Sequence, residues 1–252
     1  MEPNGLVSKK GKSLRNLPIA EEGGEQMLKK RGGMVLCAFC ILGLLGTKIS
    51  HASIPLPKPS LDGKVSVEKA IKERRTIRDF KDRLLSLNHL SQLLWAAQGV
   101  TDPNGMKRAA PSAGALFPLD IYVIVGEKGV KGTEAGVYHY LPRTHEILLI
   151  AKGDLRKEVA SASLQQMWMV QASVIFIITA EYKRNAWKYA ERGIRYALIE
   201  VGHVGQNLFL QAEAMGLGAG IVGAFNDLEV SKVAGLPPKH EPLLIMPVGY
   251  KK

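Results

Sequence analysis

Residues 185–215 read NAWKYAERGIRYALIEVGHVGQNLFLQAEAM, the longest helical pattern of the chain. Apolar side chains recur in it at the three- and four-residue spacing of a helix with one buried face, at Ile194, Ala197, Leu198, Val201, Val204, Leu208 and Ala212. Such a helix would be about 45 Å long, and Gly216 would end it. The pattern predicts an element that crosses a whole domain or builds a dimer interface.

Shorter helices and several strands are predicted around this segment. Ser66 and Ser86 have the character of N-caps, and the second of these helices would span Leu87–Gln98. Further helices are predicted near 154–162, 165–171 and 227–234, and strands at 121–125, 137–140, 147–150, 174–179, 217–225 and 243–248. The order predicts an α+β fold, with a mixed sheet packed against a long central helix.

Composition narrows the function classes. The chain has 252 residues, 46% hydrophobic and 23% charged, and a net charge of +11. A long basic stripe with interleaved aromatic residues is missing from the sequence, so nucleic-acid binding is not predicted. Cys37 and Cys40 are the only cysteines. No zinc-ligand spacing or Ser-His-Asp arrangement stands out either, so no metal site is predicted.

The first 52 residues are predicted to be separate from the fold. Lys29–Arg31 is followed by an apolar run from Met34 to Gly46 and by small residues around a possible cut after Ala52. This order is typical of a signal peptide and predicts export; an uncleaved membrane anchor is the alternative, and Met27 is a candidate start. Residues 53–65 then read as an extended leader, and residues 66–252 as the folded domain.

The segment Arg74-Arg75-Thr76-Ile77-Arg78 follows the first predicted helix. Guanidinium groups bind phosphate through two donors at once, and Thr76 adds a hydroxyl. Arg74 and Arg78 would share a face if the helix continued. The alternative is a solvated basic helix end.

Two irregular segments could offer backbone N–H groups to a flat ligand. Pro111–Pro118 is a loop pinned by prolines, and residues 216–225 contain four glycines close together. Their spacing does not give a dinucleotide fingerprint. A plain turn and tight strand packing are the respective alternatives.

Lys188 and Tyr189 are candidates for proton transfer, with a surface or packing role as the alternative. His203 lies among apolar residues of the long helix, which predicts a core histidine.

These segments occur in the order found in the nitroreductase family, and the chain from about Ser66 to Lys252 resembles its SagB-type branch. The arginine cluster resembles the family's phosphate-binding motif, and the Pro111-Ser112 step resembles its flavin-contacting loop. Parts of the long helix and residues 216–218, 222–225 and 246–250 are similar to the remaining family signatures.

The resemblance implies a nitroreductase-like fold and a homodimer with FMN at the subunit interface. It implies phosphate and ribityl contacts from Arg74, Arg75, Thr76 and Arg78, and ring contacts across the interface from Pro111, Ser112 and Ala113. It also implies that Gly223 and Ala224, with Val222 beside them, face the flavin N5, that Gln165 reaches the pyrimidine edge, and that Lys251 reaches the phosphate.

Three functions are compatible with this reading. The favoured one is a ping-pong oxidoreductase that transfers hydride through FMN N5 to an unidentified small-molecule acceptor, with NAD(P)H as a candidate reductant. The second is a SagB-type azoline dehydrogenase acting on a peptide, because Lys188-Tyr189 resembles the catalytic pair of such members; predicted export argues against it. The third is a non-catalytic flavin-binding module. Ala115 and Phe117 depart from the polar residues of many family members, which weakens the expectation of polar contacts there.

Overall fold

The computed structural model describes residues 53–252, and the predicted signal peptide or anchor lies outside them. The helices in this range are α1 Val67–Glu73, α2 Leu87–Gln98, α3 Arg156–Ala162, α4 Lys183–Tyr189, α5 Arg192–Ala214 and α6 Asp227–Val233. The strands are β1 Ser53–Pro55, β2 Phe80–Lys81, β3 Leu119–Val125, β4 Gly136–Leu141, β5 Glu146–Lys152, β6 Val174–Ala180, β7 Leu217–Ala219 and β8 Glu241–Lys251. Within residues 53–252 no helix is long and apolar enough to cross a membrane.

The eight strands form one sheet in the order β1-β5-β4-β3-β6-β8-β2, and β7 pairs with the end of β8. Neighbouring strands run antiparallel. Parallel pairing occurs in isolated bridges, Thr76 with Ala219 and Leu85 with Val130. The predicted α+β class with a mixed sheet is therefore confirmed.

Both faces of the sheet are covered. Because side chains alternate along a strand, Ile121, Val123 and Val125 of β3 enter one core with α2 and α5, whereas Tyr122 and Ile124 enter a second core with α3 and α6. The central strands β3 and β6 are consequently buried along almost their whole length. This three-layer arrangement fixes α5 against the sheet, with one side of the helix left open.

The predicted N-caps are confirmed. The Ser66 hydroxyl accepts a hydrogen bond from the Lys69 N–H at 3.2 Å. At the start of α2, the His89 N–H donates to the Ser86 hydroxyl at 3.2 Å, and the Ser86 N–H donates to His89 Nδ1 at 3.3 Å. These bonds satisfy backbone donors that a helix start otherwise leaves unpaired.

The prediction of one uninterrupted helix over residues 185–215 was wrong. The chain breaks at Ala190, whose φ is 48°, so α5 begins at Arg192 and is about 34 Å long rather than 45 Å. Asn185 donates a side-chain hydrogen bond to the Gly193 carbonyl at 2.9 Å, and a Cβ on Gly193 would lie 3.0 Å from Asn185 Oδ1. The positive φ at Ala190 thus separates α4 from α5, and the close packing at Gly193 holds the two helices together.

The apolar stripe of the long helix also differs from the prediction. Ala197, Val204, Leu208 and Ala212 are buried, as expected. Ile194 and Leu198 are instead 45% and 49% exposed, because the inward face of α5 is shifted toward Gly193, Glu200 and Gly205.

The predicted Gly-rich strand over 217–225 is shorter than expected. Regular pairing ends at Ala219. The Val222 N–H donates to the Ile245 carbonyl at 2.9 Å, and the Ile245 N–H donates back at 3.0 Å. The Gly220 N–H donates to the Pro247 carbonyl at 2.8 Å, so the chain keeps the register of β7 as far as Val222, and only residues 223–226 leave β8.

Candidate functional site

The arginine segment is extended, because α1 ends at Glu73 and Arg74 already has a ψ of 127°. Thr76 bridges to Ala219 of β7, and the Ile77 N–H donates to the Ala219 carbonyl at 2.9 Å. Because the helix does not continue, Arg74 and Arg78 do not share a helix face. Pairing with β7 instead places the segment directly beside the Gly-rich backbone.

The three arginines of this segment differ in their contacts. Arg75 Nη1 donates to the carbonyls of Lys72 and Arg74, both at 2.8 Å, and so closes the end of α1. Arg74 lies over the Phe209 ring, 5.0 Å from guanidinium carbon to centroid, and Arg78 lies 5.7 Å from the Trp168 ring centroid. Neither of these two forms an ion pair with a carboxylate anywhere in residues 53–252. Two guanidinium groups are thus available to an anion.

The Gly-rich segment packs closely against its neighbours. A Cβ on Gly218 would lie 2.7 Å from Lys251 Cγ, and one on Gly220 would lie 2.6 Å from the Trp168 ring. Gln166 Nε2 donates to the Ala224 carbonyl at 3.1 Å. Trp168 and Gln166 belong to this site although sequence reasoning did not select them, since their contacts come from tertiary packing.

The other residues predicted on this side differ in how free their polar groups are. Gly223 is exposed and would meet nothing within 4 Å of a Cβ, so its backbone is accessible. Val222 is buried and its N–H and carbonyl are bonded to Ile245. Lys251 Nζ lies 2.8 Å from Glu213 Oε1, and Gln165 is exposed with a φ of 59°. These residues with Arg74, Thr76 and Arg78 form one group, the phosphate half-site.

The Pro-Ser loop contacts the predicted proton-transfer pair. Gly114, with a φ of 61°, faces α4 so closely that a Cβ would lie 2.6 Å from Tyr189 Oη and 3.1 Å from Lys188 Nζ. The Ser112 hydroxyl accepts a hydrogen bond from the Phe117 N–H at 2.9 Å and holds the loop closed. Lys188 Nζ lies 5.4 Å from the Tyr189 ring centroid. Pro111, Ser112, Ala113, Lys188 and Tyr189 thus form a second group, the Pro-Ser half-site.

A buried carboxyl that sequence reasoning did not select lies beneath this loop. Gln98 Nε2 donates to Glu200 Oε1 at 2.9 Å, and the Ser112 hydroxyl also bonds the carboxyl. Burial raises the pKa of Glu200 to about 7, and these hydrogen bonds and the charge of Arg108 oppose the rise. A helical position among apolar residues gave no signal for it, because its partners come from distant segments.

His203 was predicted as a core histidine, and that prediction was wrong. It is exposed and lines a cavity of about 250 Å³ with Glu200 and the Pro-Ser loop. The reason is the same shift of the buried face of α5 that exposes Ile194.

The two half-sites lie at opposite parts of α5. Phe209 and Glu213 contact the phosphate half-site, whereas Tyr196 and Glu200 belong to the other. Tyr196 and Phe209 are thirteen residues apart, as are Glu200 and Glu213, which corresponds to about 20 Å along the helix axis. Within residues 53–252 no hydrogen bond, ion pair or ring contact joins the two groups directly.

A charged cluster fastens α4 to the sheet. Arg184 Nη2 lies 2.6 Å from Asp120 Oδ2, and Arg184 Nε donates to Glu181 Oε2 at 2.9 Å. Burial alone would raise the pKa of Asp120, but the hydrogen bond from His139 and the charge of Arg184 lower it overall. The side-chain ligand atoms of Asp120, Glu181 and His240 lie within 4.8 Å of one another. Since Arg184 pairs with both carboxylates and Lys239 Nζ pairs with Glu181 Oε1 at 3.1 Å, we interpret the cluster as an ion-pair network that positions Lys188 and Tyr189.

A larger cavity of about 710 Å³ opens between residues 60–65, α2 and the end of α5. None of the predicted site residues lines it.

Comparison with known proteins identifies the family to which this fold belongs. Residues 71–250 match the model of the Nitroreductase family, and the chain belongs to that family. A protein of Methanocaldococcus jannaschii named as a nitroreductase is 45% identical over 187 residues, which cover 74% of this chain and 92% of that protein. The predicted family is thereby confirmed.

More distant relatives extend the comparison. The microcin B17-processing protein McbC of Escherichia coli is 28% identical over 66% of this chain and 62% of its own length, which agrees with the SagB-type branch. A solved nitroreductase structure from Ralstonia eutropha superposes with a TM-score of 0.67 at 25% identity, over 79% of this chain and 90% of that one. The NADPH:FMN oxidoreductase of Vibrio harveyi shares the fold, with a TM-score of 0.53 at 19% identity over 74% and 69% of the two chains.

Proposed function

We propose that the protein is an FMN-dependent oxidoreductase that transfers hydride to a small-molecule acceptor. The observation that carries this proposal is the phosphate half-site, where Arg74 and Arg78 lack carboxylate partners among residues 53–252 and lie in the segment that pairs with the Gly-rich strand β7. Two unpaired guanidinium groups fit a dianionic phosphate monoester. Membership of the nitroreductase family supports flavin as the group attached to that phosphate.

The residues present fit FMN in the following way. Arg74, Thr76 and Arg78 would hold the phosphate and ribityl chain, and Lys251, which is ion-paired with Glu213, would lie at the edge of the site. The exposed backbone of Gly223 and Ala224 would face the ring. When bound, FMN supplies the hydride chemistry, and the protein orients it and excludes competing reactions. The Pro-Ser half-site holds groups that can move a proton, at Tyr189 Oη and Lys188 Nζ.

A second copy of the chain would complete the site. The half-sites of one chain are about 20 Å apart along α5. In a closed two-fold dimer, the phosphate half-site of each subunit would face the Pro-Ser half-site of its partner. Exposed apolar side chains on α1 and α5 support such an interface; they are Val67 at 63%, Ile71 at 55%, Ile194 at 45%, Leu198 at 49% and Ile199 at 49% exposure. We therefore propose a homodimer with FMN between the subunits.

The donor and the compartment form part of the same proposal. NAD(P)H is one candidate reductant, and the protein that shares this fold in Vibrio harveyi is named as using NADPH. If residues 1–52 direct export, the natural reductant is a different one, because nicotinamide nucleotides are scarce outside the cytoplasm.

Reoxidation of the bound flavin separates an enzyme from a flavin store. Full-length protein loaded with FMN is reduced anaerobically with dithionite, freed of excess reductant and mixed with a quinone or a nitroaromatic compound. We expect rapid recovery of the oxidised flavin spectrum with either acceptor. Recovery no faster than that of free reduced FMN would show a non-catalytic binding module.

A second candidate function is dehydrogenation of a peptide azoline. The contact of Gly114 with Lys188 Nζ and Tyr189 Oη favours it, because the pair meets the loop that the family places at the flavin ring. Similarity to a microcin-processing protein gives further support. In this reaction the pair would accept the proton that accompanies hydride removal.

Lys188→Ala tests this candidate with a thiazoline-bearing peptide. Wild-type protein with FMN is expected to convert thiazoline to thiazole, with a mass loss of two hydrogens, and Lys188→Ala to do so at least about a hundredfold more slowly. Lys157→Ala, an exposed lysine on α3, is the matched control. Full peptide oxidation by Lys188→Ala would remove the pair from the mechanism, and no oxidation by the wild type would remove the azoline reaction.

A further inference from the structure

Glu200 is a carboxylic acid on the inward face of α5, where its neighbours along the helix are core residues. It is 2% exposed, although acidic side chains are rarely buried without a partner. Its partners are neutral. Gln98 Nε2 and the Ser112 hydroxyl donate to it, and Arg108 acts on it electrostatically without an ion pair among residues 53–252. A buried acid with neutral partners is free to gain or lose a proton.

The carboxyl lines a cavity whose wall adjoins the proton-transfer pair. Pro111, Ser112, Ala113, Tyr196, Ile199 and His203 form the rest of the wall of this space of about 250 Å³. Such a volume can hold several water molecules at about 30 Å³ each. Gly114, next in the loop, contacts Tyr189 Oη and Lys188 Nζ, and the Tyr196 ring lies 5.0 Å from the Tyr189 ring between centroids. Two parts of the cavity wall, Tyr196 and the Pro-Ser loop, therefore adjoin the proton-transfer pair.

Titratable and charged groups of several elements surround the carboxyl. Arg108 faces it from the segment after α2, Tyr196 and His203 from α5, and Lys188 and Tyr189 from α4 behind Gly114. Burial is the largest influence and raises the pKa of Glu200 to about 7; the bonds from Ser112 and Gln98 and the charge of Arg108 lower it. An acid of this pKa is suited to exchange protons at physiological pH.

We propose that Glu200 is the internal proton reservoir of the site. The inference rests on the proposed oxidoreductase function. When an acceptor is reduced, it gains a hydride from the flavin and a proton from Tyr189 or Lys188. The Glu200 carboxyl returns a proton to that pair through the cavity, becomes a carboxylate, and is reprotonated from solvent. In a dehydrogenation, the substrate proton takes the reverse route while the flavin accepts the hydride.

Glu200→Gln tests the reservoir, since glutamine keeps the size of the side chain and an oxygen that accepts from Gln98 but cannot titrate. The readout is the pH dependence of quinone reduction by FMN-loaded protein. For the wild type we expect a rate that falls as pH rises above about 7, because the carboxyl must be protonated. Glu200→Gln is expected to be roughly tenfold to a hundredfold slower below pH 7, to lack this limb, and to keep its FMN. Glu158→Gln, an exposed acid on α3, is the matched control.

A merely structural role is separated by two further measurements. Ser112→Ala removes the hydrogen bond between the loop and the Glu200 carboxyl but leaves the acid, so the fall in rate above about pH 7 should remain. If Ser112→Ala also lost this fall in rate, the effect of Glu200→Gln would be attributed to the position of the loop. Thermal unfolding gives an independent check. The pKa of Glu200 is about 7 in the folded protein, against an ordinary value of 4.5. Glu200 therefore contributes to the free energy of unfolding fully below pH 4.5, and this contribution is lost as pH rises through 7. Glu200→Gln should lack that loss.

The outcomes distinguish this inference from the function on which it rests. If wild-type protein reduces no acceptor, the proposed function fails. If the wild type turns over and Glu200→Gln keeps its rate and its limb near pH 7, the reservoir alone is overturned.

Discussion

Arg78→Ala is expected to yield a folded protein that has lost most of its FMN. The Arg78 guanidinium has no carboxylate partner within residues 53–252 and lies over the Trp168 ring at the edge of the phosphate half-site. A hydrogen bond to a charged group contributes about 2 kcal/mol, so FMN affinity should fall roughly thirtyfold. The fold should survive, because the side chain is exposed and closes no helix.

Flavin content and stability are measured on the same preparation. The ratio of flavin to protein absorbance gives occupancy, a fluorescence titration gives the Kd for FMN, and thermal unfolding of the apoprotein reports the fold. Arg143→Ala, an exposed arginine in the β4–β5 turn, is the matched control and should keep its flavin. Full occupancy in Arg78→Ala, with an unchanged Kd, would remove Arg78 from the phosphate site.

Gly114→Ala should reduce turnover at least about tenfold, because its new methyl group would stand 2.6 Å from Tyr189 Oη. Alanine also tolerates the φ of 61° poorly, at a cost of about 1 kcal/mol. Either the loop or α4 must move, and the proton-transfer pair is displaced from the cavity. Acceptor reduction at saturating acceptor concentration measures the effect.

Gly105→Ala is a close control for backbone strain. Gly105 has a φ of 69°, but a Cβ there would meet nothing within 4 Å. It should lose similar stability and keep its turnover. Equal turnover losses in the two variants would attribute the effect to general strain instead of to contact with Tyr189.

Co-expression of the Arg78→Ala and Gly114→Ala chains tests the proposed dimer. If each site combines Arg78 of one chain with Gly114 of the other, a mixed dimer has one site with both defects and one intact site. Random pairing of equal amounts should then restore about a quarter of wild-type activity. No gain over the separate variants would mean that both residues serve the same site within one chain.

The fold was accessible from sequence because its signals are local. N-caps at Ser66 and Ser86, apolar runs for the buried strands, and the helical spacing of Ala197, Val204 and Leu208 each depend on neighbours in the chain. The break at Ala190 was not accessible. It depends on packing of Gly193 against Asn185, and nothing in the helical pattern interrupts the period there.

The candidate site divides in the same way. The arginine cluster, the Pro-Ser loop and the Lys188–Tyr189 pair are contiguous segments, and their residue types alone suggest phosphate binding and proton transfer. Glu200, Trp168 and Gln166 acquire their roles from partners far along the chain, such as Gln98 for Glu200. Arg75 was selected by its residue type as a phosphate ligand, but its Nη1 donates to the carbonyls at the end of α1.

The visible absorption spectrum of the purified full chain, titrated with FMN, tests the central claim most directly. Bound flavin should give a band near 450 nm (roughly the usual flavin position) that saturates at about one FMN per chain and is retained on desalting. A protein that stays colourless after addition of FMN and desalting, while thermal unfolding shows it to be folded, would contradict the account.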